Sequence, residues 1–202
     1  MKISFLKDRA KARLNGNWEQ AIIAIMVATV IFFVIDGFFG DKYLKDNLAI
    51  FCLRIFLQAP AFLGMAIVFL SISRDQNPRG TEVFQGFHNW WNAFKTMIVM
   101  IFFIILWSIL LIIPGIMAAL SYSMSFYILA DNPDMKPGEI LRHSKNLMRG
   151  HKTELLLLIL SFTGWLFLSV ITAGILYLLY TGPFFQSTLA EFYESLQERS
   201  DF

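Results

Sequence analysis

Between residues 21 and 189 the chain alternates long apolar stretches with short polar ones rich in Lys, Arg and aromatic residues. A helix rises about 1.5 Å per residue, so roughly 20 apolar residues cross a hydrocarbon core. On that measure the pattern predicts a first span over 18–39 and a second over 48–73. Two longer apolar stretches follow, 94–130 and 153–189, each too long for one crossing and barely long enough for two. Each is interrupted near its middle, the first by Pro114-Gly115 and the second by Thr172-Ala173-Gly174. Proline removes a backbone donor and glycine accepts turn geometry, so each stretch reads as a kinked helix or a tight hairpin.

The basic residues favour hairpins. Lys and Arg collect in loops on the cytoplasmic side of a membrane. Lys2, Lys7, Arg9, Lys11 and Arg13 precede the first span. Arg74, Arg79 and Lys95 follow the second, and Lys136, Arg142, Lys145, Arg149 and Lys152 separate the two long stretches. Asp36, Asp41 and Asp46 offset Lys42 and Lys45 in the loop after the first span. If each long stretch doubles back, all three basic clusters share one side. The expected fold is therefore all-α: a polytopic helix bundle of about six transmembrane helices, with amphipathic interfacial helices on the cytosolic face. Both termini are expected inside. The last stretch is also interrupted by Gly182-Pro183. Its final helix is expected to run out into the interface, where Glu191, Glu194 and Glu198 fall on neighbouring faces.

The polar lead-ins resemble one another. Aligned by eye, Leu6, Val83 and Ile140 correspond, as do Leu14, Trp91 and Met148, and the small residues Gly16, Ala93 and Gly150. Asn77-Pro78 and Asn132-Pro133 precede the second and third lead-ins, and Gly115-Ile116 matches Gly174-Ile175. The chain is expected to form one integral membrane domain, 1–202, readable as repeat units 4–73, 82–131 and 139–197. Each unit would be an interfacial helix, a span, a turn and a second span, with any site at the units' junction, as in many transporters.

Composition agrees with membrane residence. The chain has 202 residues, of which 56% are hydrophobic and 16% charged. A soluble domain has about 45–50% and about 25%, so too little polar surface exists here to cover a water-soluble globule. A net charge of +2 gives no footprint for nucleic acid. The single cysteine, Cys52, excludes an intramolecular disulfide and a multi-cysteine metal site. A long basic lead-in, with no small-residue cleavage site after the first apolar run, predicts a retained helix rather than a cleaved leader.

Few residues suggest chemistry. Arg54 and Gln58 lie one turn apart near the outer end of the second span. A charge in lipid marks a site by default, here one for an anionic group, although Arg54 can also snorkel to water. Lys11, Arg13, Lys145, Arg149 and Lys152 are candidate contacts to anionic lipid. His143 and His151 stand two helical turns apart and could share a face, but no cysteine or acid pair accompanies them, so neither metal nor cofactor is expected. Ser121, Ser123, Ser125, Tyr122, Tyr127, Ser161 and Thr163 suit close helix packing and cross-helix hydrogen bonds. Pro137 and Glu139 suit the first turn of a helix. The chain carries no Gly-Lys-Ser/Thr phosphate loop, dinucleotide fingerprint, Gly-x-Ser-x-Gly or His-Glu-x-x-His.

Several motifs resemble an uncharacterised bacterial integral membrane family, a numbered domain of unknown function. They are Gly16-Asn17-Trp18, Pro114-Gly115-Ile116, Tyr127-x-x-Ala130-Asp131-Asn132-Pro133 and Ser144-Lys145-x-x-Met148-x-Gly150-His151-Lys152. Leu160-Ser161-Phe162-x-Gly164-Trp165, Thr172-x-Gly174-Ile175, Pro183 and Phe192-Tyr193 complete them. The pattern is also distantly similar to the membrane domain attached to some glycerophosphodiester phosphodiesterases. The resemblance implies a multi-pass protein of the bacterial inner membrane and brings no catalytic residue. Three functions remain open. One is a non-enzymatic protein that organises lipid or binds partner proteins, with oligomers allowed. Another is a small transporter or lipid-translocating protein. The last is an interfacial lipid head-group enzyme using His143, His151 and Glu154.

Overall fold

The computed structural model describes residues 3–38 and 48–200, so the loop bearing Asp41, Lys42, Lys45 and Asp46 lies outside the described residues. All regular structure among them is helical. The order is α1 (Ile3–Leu14), α2 (Trp18–Phe38), α3 (Leu48–Ser73), a 3-10 helix (Gly80–Phe87) and α4 (Trp90–Leu110). Then come α5 (Ile112–Tyr122), α6 (Ser125–Asp131), α7 (Pro137–Leu147), α8 (Lys152–Leu160), α9 (Thr163–Ile171) and α10 (Gly182–Ser200). Five stretches among the described residues are long and apolar enough to cross a membrane: Trp18–Gly37, Leu53–Ser73, Trp90–Leu110, Ile112–Asp131 and Lys152–Ile171. The chain is a multi-pass helical bundle.

Both long apolar stretches double back. In the first, the break falls at Leu111, which is extended (φ −162°, ψ 147°), and not at Pro114-Gly115. Pro114 sits instead in the first turn of α5, where no backbone donor is needed, so it begins a helix rather than ending one. Gly115 then lets α5 lie on Ser108 of α4; a Cβ there would strike the Ser108 side chain. Ala118 and Tyr122 of α5 pack with Val99, Met100, Phe103 and Ile104 of α4, as an antiparallel pair requires. In the second stretch the turn is Thr172-Ala173-Gly174, with Ala173 and Gly174 in left-handed conformation (φ 50° and 86°). The chain returns through a wide π segment, Tyr177–Thr181, directly into α10. Pro183 lies in the first turn of α10 and does not interrupt it.

The returning helix α10 is not among the five stretches apolar enough to cross. It packs against α1, α3 and α2, with Glu191 0% exposed and Phe192, Tyr193 and Leu196 buried, while Glu198 faces outward.

Each lead-in helix docks on the helices of the unit before it in the chain. The 3-10 helix lies against α2 and α3, α7 lies against α4, α5 and α6, and α1 closes the circuit against α10 and α8. The contacts are close. A Cβ at Gly64 of α3 would collide with the Val83 carbonyl, and one at Gly86 with the Pro60 carbonyl. Ser144 of α7 donates to the Ser121 carbonyl (2.8 Å), and Ser187 of α10 to the Ala10 carbonyl (3.4 Å). Leu6, Val83 and Ile140, aligned in the sequence, are all buried. Leu14 and Met148 are also buried, and Gly16 and Gly150 both hold positive φ. Trp91 and Ala93 depart from this, since they already lie inside α4.

Candidate functional site

The second helices of the three stretches, α3, α6 and α10, bring their ends to one place. Arg74 follows α3 directly. Its guanidinium donates Nη1 to Asp131 Oδ1 (2.7 Å) and Nη2 to Asp131 Oδ2 (2.9 Å). Its Nε donates to Glu194 Oε1 at 2.9 Å. A planar donor fork suits this two-carboxylate grip in a way a lysine would not. Tyr193 donates its hydroxyl to Asp131 Oδ2 (2.9 Å), and Gln197 Nε2 donates to the Tyr193 hydroxyl oxygen (2.6 Å). These bonds to Asp131 hold the Arg74 guanidinium well above its ordinary pKa. Burial, followed by the Asp131 charge and hydrogen bond, raises the Tyr193 hydroxyl. Burial also raises the Glu194 carboxyl, against the opposing pull of Arg74.

A second layer ties in α1. Glu191, fully buried, lies 3.0 Å from Arg9 Nε and 3.6 Å from Arg13 Nε, and accepts from Ser73 Oγ (2.7 Å). Arg13 also pairs with Asp75. A carboxylate removed from water this completely needs paired charge or hydrogen bonds, and here it has both. Arg13, one-third exposed, thus has its charge matched by acids of the protein. None of Arg74, Asp75, Glu191 or Glu194 stands out as a site in the sequence. The only signal is positional: Arg74, Asp131 and Glu194 each stand at or near the end of a unit's second helix.

Beneath this cluster lies a cavity of about 160 Å³ lined by residues of α3, α6 and α10 and by Ser123 between α5 and α6. Phe62, Met65 and Ala66 come from α3, Phe126 and Tyr127 from α6, and Gln186 and Leu189 from α10. The Tyr127 hydroxyl donates to Gln186 Oε1 (3.4 Å), and its ring stacks on Tyr193 (centroids 5.4 Å apart). Tyr193 thus joins the cavity to the charged cluster.

The other predicted residues are distributed as follows. Arg54 and Gln58 do converge, but on a carboxylate of the protein: Asp36 Oδ1 is 2.8 Å from Arg54 Nη2 and accepts from Gln58 Nε2 at 3.1 Å. Asp36 therefore occupies the position proposed for an anionic ligand. His143 and His151 do not share a helix, because α7 ends at Leu147 and Gly150 turns the chain before α8. His151 Nδ1 instead lies 3.4 Å from Glu154, with Arg199 nearby. No group of His, Cys, Asp and Glu among the described residues could hold a metal. The serines of α5 and α8 bond backward to carbonyls, Ser121 to Met117 and Ser161 to Leu158, as packing residues do. Asn132 bonds back to Ile128, and the Pro133 carbonyl accepts from Asn89 and Asn92. Trp18 and Trp165 both pack on Tyr180, centroids 5.5 and 5.1 Å away, which fastens α2 to α9. Gly164 has open space where a Cβ would sit. Lys11, Lys145 and Arg149 are exposed and Lys152 is half-buried.

Residues 95–200 match a family described as Protein of unknown function (DUF975). The chain belongs to this family. The DUF975 segment begins within α4 and ends with α10, so it includes Asp131, Glu191, Tyr193 and Glu194. The arginines that meet those groups, Arg9, Arg13 and Arg74, come from the chain before it. No curated protein and no solved structure matches the chain.

Proposed function

We propose that this DUF975 protein is a non-enzymatic component of a bacterial inner membrane. It holds anionic lipid around its cytoplasmic face and so organises its surroundings. The supporting observation is a division of labour among the basic residues. Arg9, Arg13 and Arg74 are used up in ion pairs within the bundle. Lys11, Lys145, Arg149 and Lys152 make no ion pair among the described residues and stand on or beside lead-in helices. Above them the surface is apolar, with Phe102, Ile105, Leu106, Phe167 and Val170 exposed. Free cations bordering an exposed apolar belt fit the headgroup level of an anionic leaflet, each contributing about 1 kcal/mol. With three repeat units and both termini in the cytoplasm, all these cations would lie on one side. The likeness to the membrane domain attached to some glycerophosphodiester phosphodiesterases, carried by sequence pattern, is consistent with a lipid-facing role.

The test is enrichment of lipid around the intact protein. Nanodiscs assembled from mixed phosphatidylglycerol and phosphatidylcholine should retain more of the anionic lipid with the protein than without it. Enrichment should decline as salt rises. Equal composition in filled and empty discs would overturn the reading.

A second reading, a small transporter, is favoured by the cavity at the junction of α3, α6 and α10. Proteoliposomes that swell no faster in small neutral solutes than protein-free vesicles would count against it.

A further inference from the structure

A groove of about 270 Å³ runs between α4, α5, α7 and α8. Its walls are Trp107, Ile113, Pro114 and Met117, and at its other end stand Lys145, Lys152 and the Tyr122 ring. The two lysines come from different helices on either side of the Gly150 turn. Ser144, next to Lys145, is fixed by its bond to the Ser121 carbonyl, which sets α7 against α5 at this height. From Ser121 to Ile113 the groove follows α5 for about 12 Å, given the helical rise. Ile113 is 72% exposed and Met117 46%, so the apolar wall faces outward.

We propose that this groove holds one anionic phospholipid. Its phosphate lies between Lys145 and Lys152, and one acyl chain lies along Met117, Pro114 and Ile113 toward Trp107. The proposal rests on the lipid-organising reading and deepens it, from a diffuse halo to a defined site. Charge complementarity selects the occupant. Two ammonium groups, with no acid pairing either of them among the described residues, cap a wall that offers nothing to a water-soluble ligand. A free phosphate would satisfy the lysines and leave that wall bare. A neutral lipid would cover the wall and leave two like charges adjacent. Lysines act as point charges toward phosphate and tolerate variation in the rest of a headgroup, so the recognised chemistry is the phosphodiester and the chain beside it.

Native mass spectrometry of the detergent-solubilised full chain tests this, with phosphatidylglycerol, phosphatidylcholine, inorganic phosphate and glycerol 3-phosphate as probes. The unaltered protein should retain a single phosphatidylglycerol under conditions that strip phosphatidylcholine. Lys145→Gln and Lys152→Gln should each weaken retention about tenfold. Met117→Trp fills the groove without changing charge and should also expel the lipid. Lys136→Gln, at the start of α7 and outside the groove, should change nothing. A thermal midpoint equal to that of the parent confirms that each variant folds. Retention unchanged in the double lysine variant would overturn the proposal, as would displacement of the lipid by inorganic phosphate or glycerol 3-phosphate. If the single site fails while nanodiscs still show anionic enrichment, the site alone is wrong. If both fail, the broader reading falls as well.

Discussion

Arg74 is the residue on which the most structure converges. One guanidinium joins α3, α6 and α10 through Asp131 and Glu194, both largely shielded from water. Removing one partner leaves a charge with no matching group. Asp131→Asn should therefore cost about 2 kcal/mol, a figure below that of a fully buried pair because Arg74 is one-third exposed. In a double-mutant cycle with Arg74→Ala, measured by thermal unfolding in detergent, the pair should cost less than the sum of the singles. Strict additivity would show that the two residues do not interact. Glu194 brings a pH dependence. Burial raises its carboxyl above the 4.5 of the unfolded chain, so the folded state holds the proton more tightly. That contribution is fully present below 4.5 and is lost as pH rises through the raised folded value. Glu194→Gln should flatten the fall in thermal midpoint on that limb; an identical profile would remove the assignment. In the sequence Asp131 and Tyr193 stand among the motif residues, but Arg74 counts only as one more positive charge and the acids of α10 read as the faces of an interfacial helix, so the pairing itself was not legible.

At the level of elements the sequence was informative about composition and less so about punctuation. The two hairpins follow from apolar stretches too long to cross once. The first turn, however, lies at Leu111 and not at Pro114-Gly115, because a proline near a helix start is an ordinary first-turn residue. The second turn was legible, since Ala173-Gly174 supplies the positive φ that reverses the chain. Replacing Ala173 with Cys in a Cys52→Ser background should expose the thiol to membrane-impermeant reagent on the face opposite Lys145. Lys145→Cys should react only after the membrane is opened. Labelling of both from one side would break the hairpin topology. The second lead-in, expected as an amphipathic interfacial helix, is a short 3-10 helix held by the close approach of Gly64 and Gly86 to facing carbonyls. Gly64→Ala should shift that helix away from α3 and lower stability by about 1–3 kcal/mol. A thermal midpoint unchanged from the parent would mean that the contact is looser than described.

The molecule as a whole is a ring of three hairpins, each receiving the lead-in helix of the next. The bonds that close the ring are polar and lie at one end, whereas the other end is oil. The tip of the α4–α5 hairpin is the extreme case. Ile109 is 80% exposed, Ile112 77% and Ile113 72%, and Leu110 and Leu111 complete an uninterrupted aliphatic turn. A loop emerging into water would be furnished with polar residues, and this one has none. α4 has 21 residues and rises about 31 Å, the thickness of a hydrocarbon core, so its apolar tip ends among acyl chains rather than in water. Five large side chains there tie the turn to the far monolayer, and in a thinner bilayer the pair would have to tilt to keep them covered.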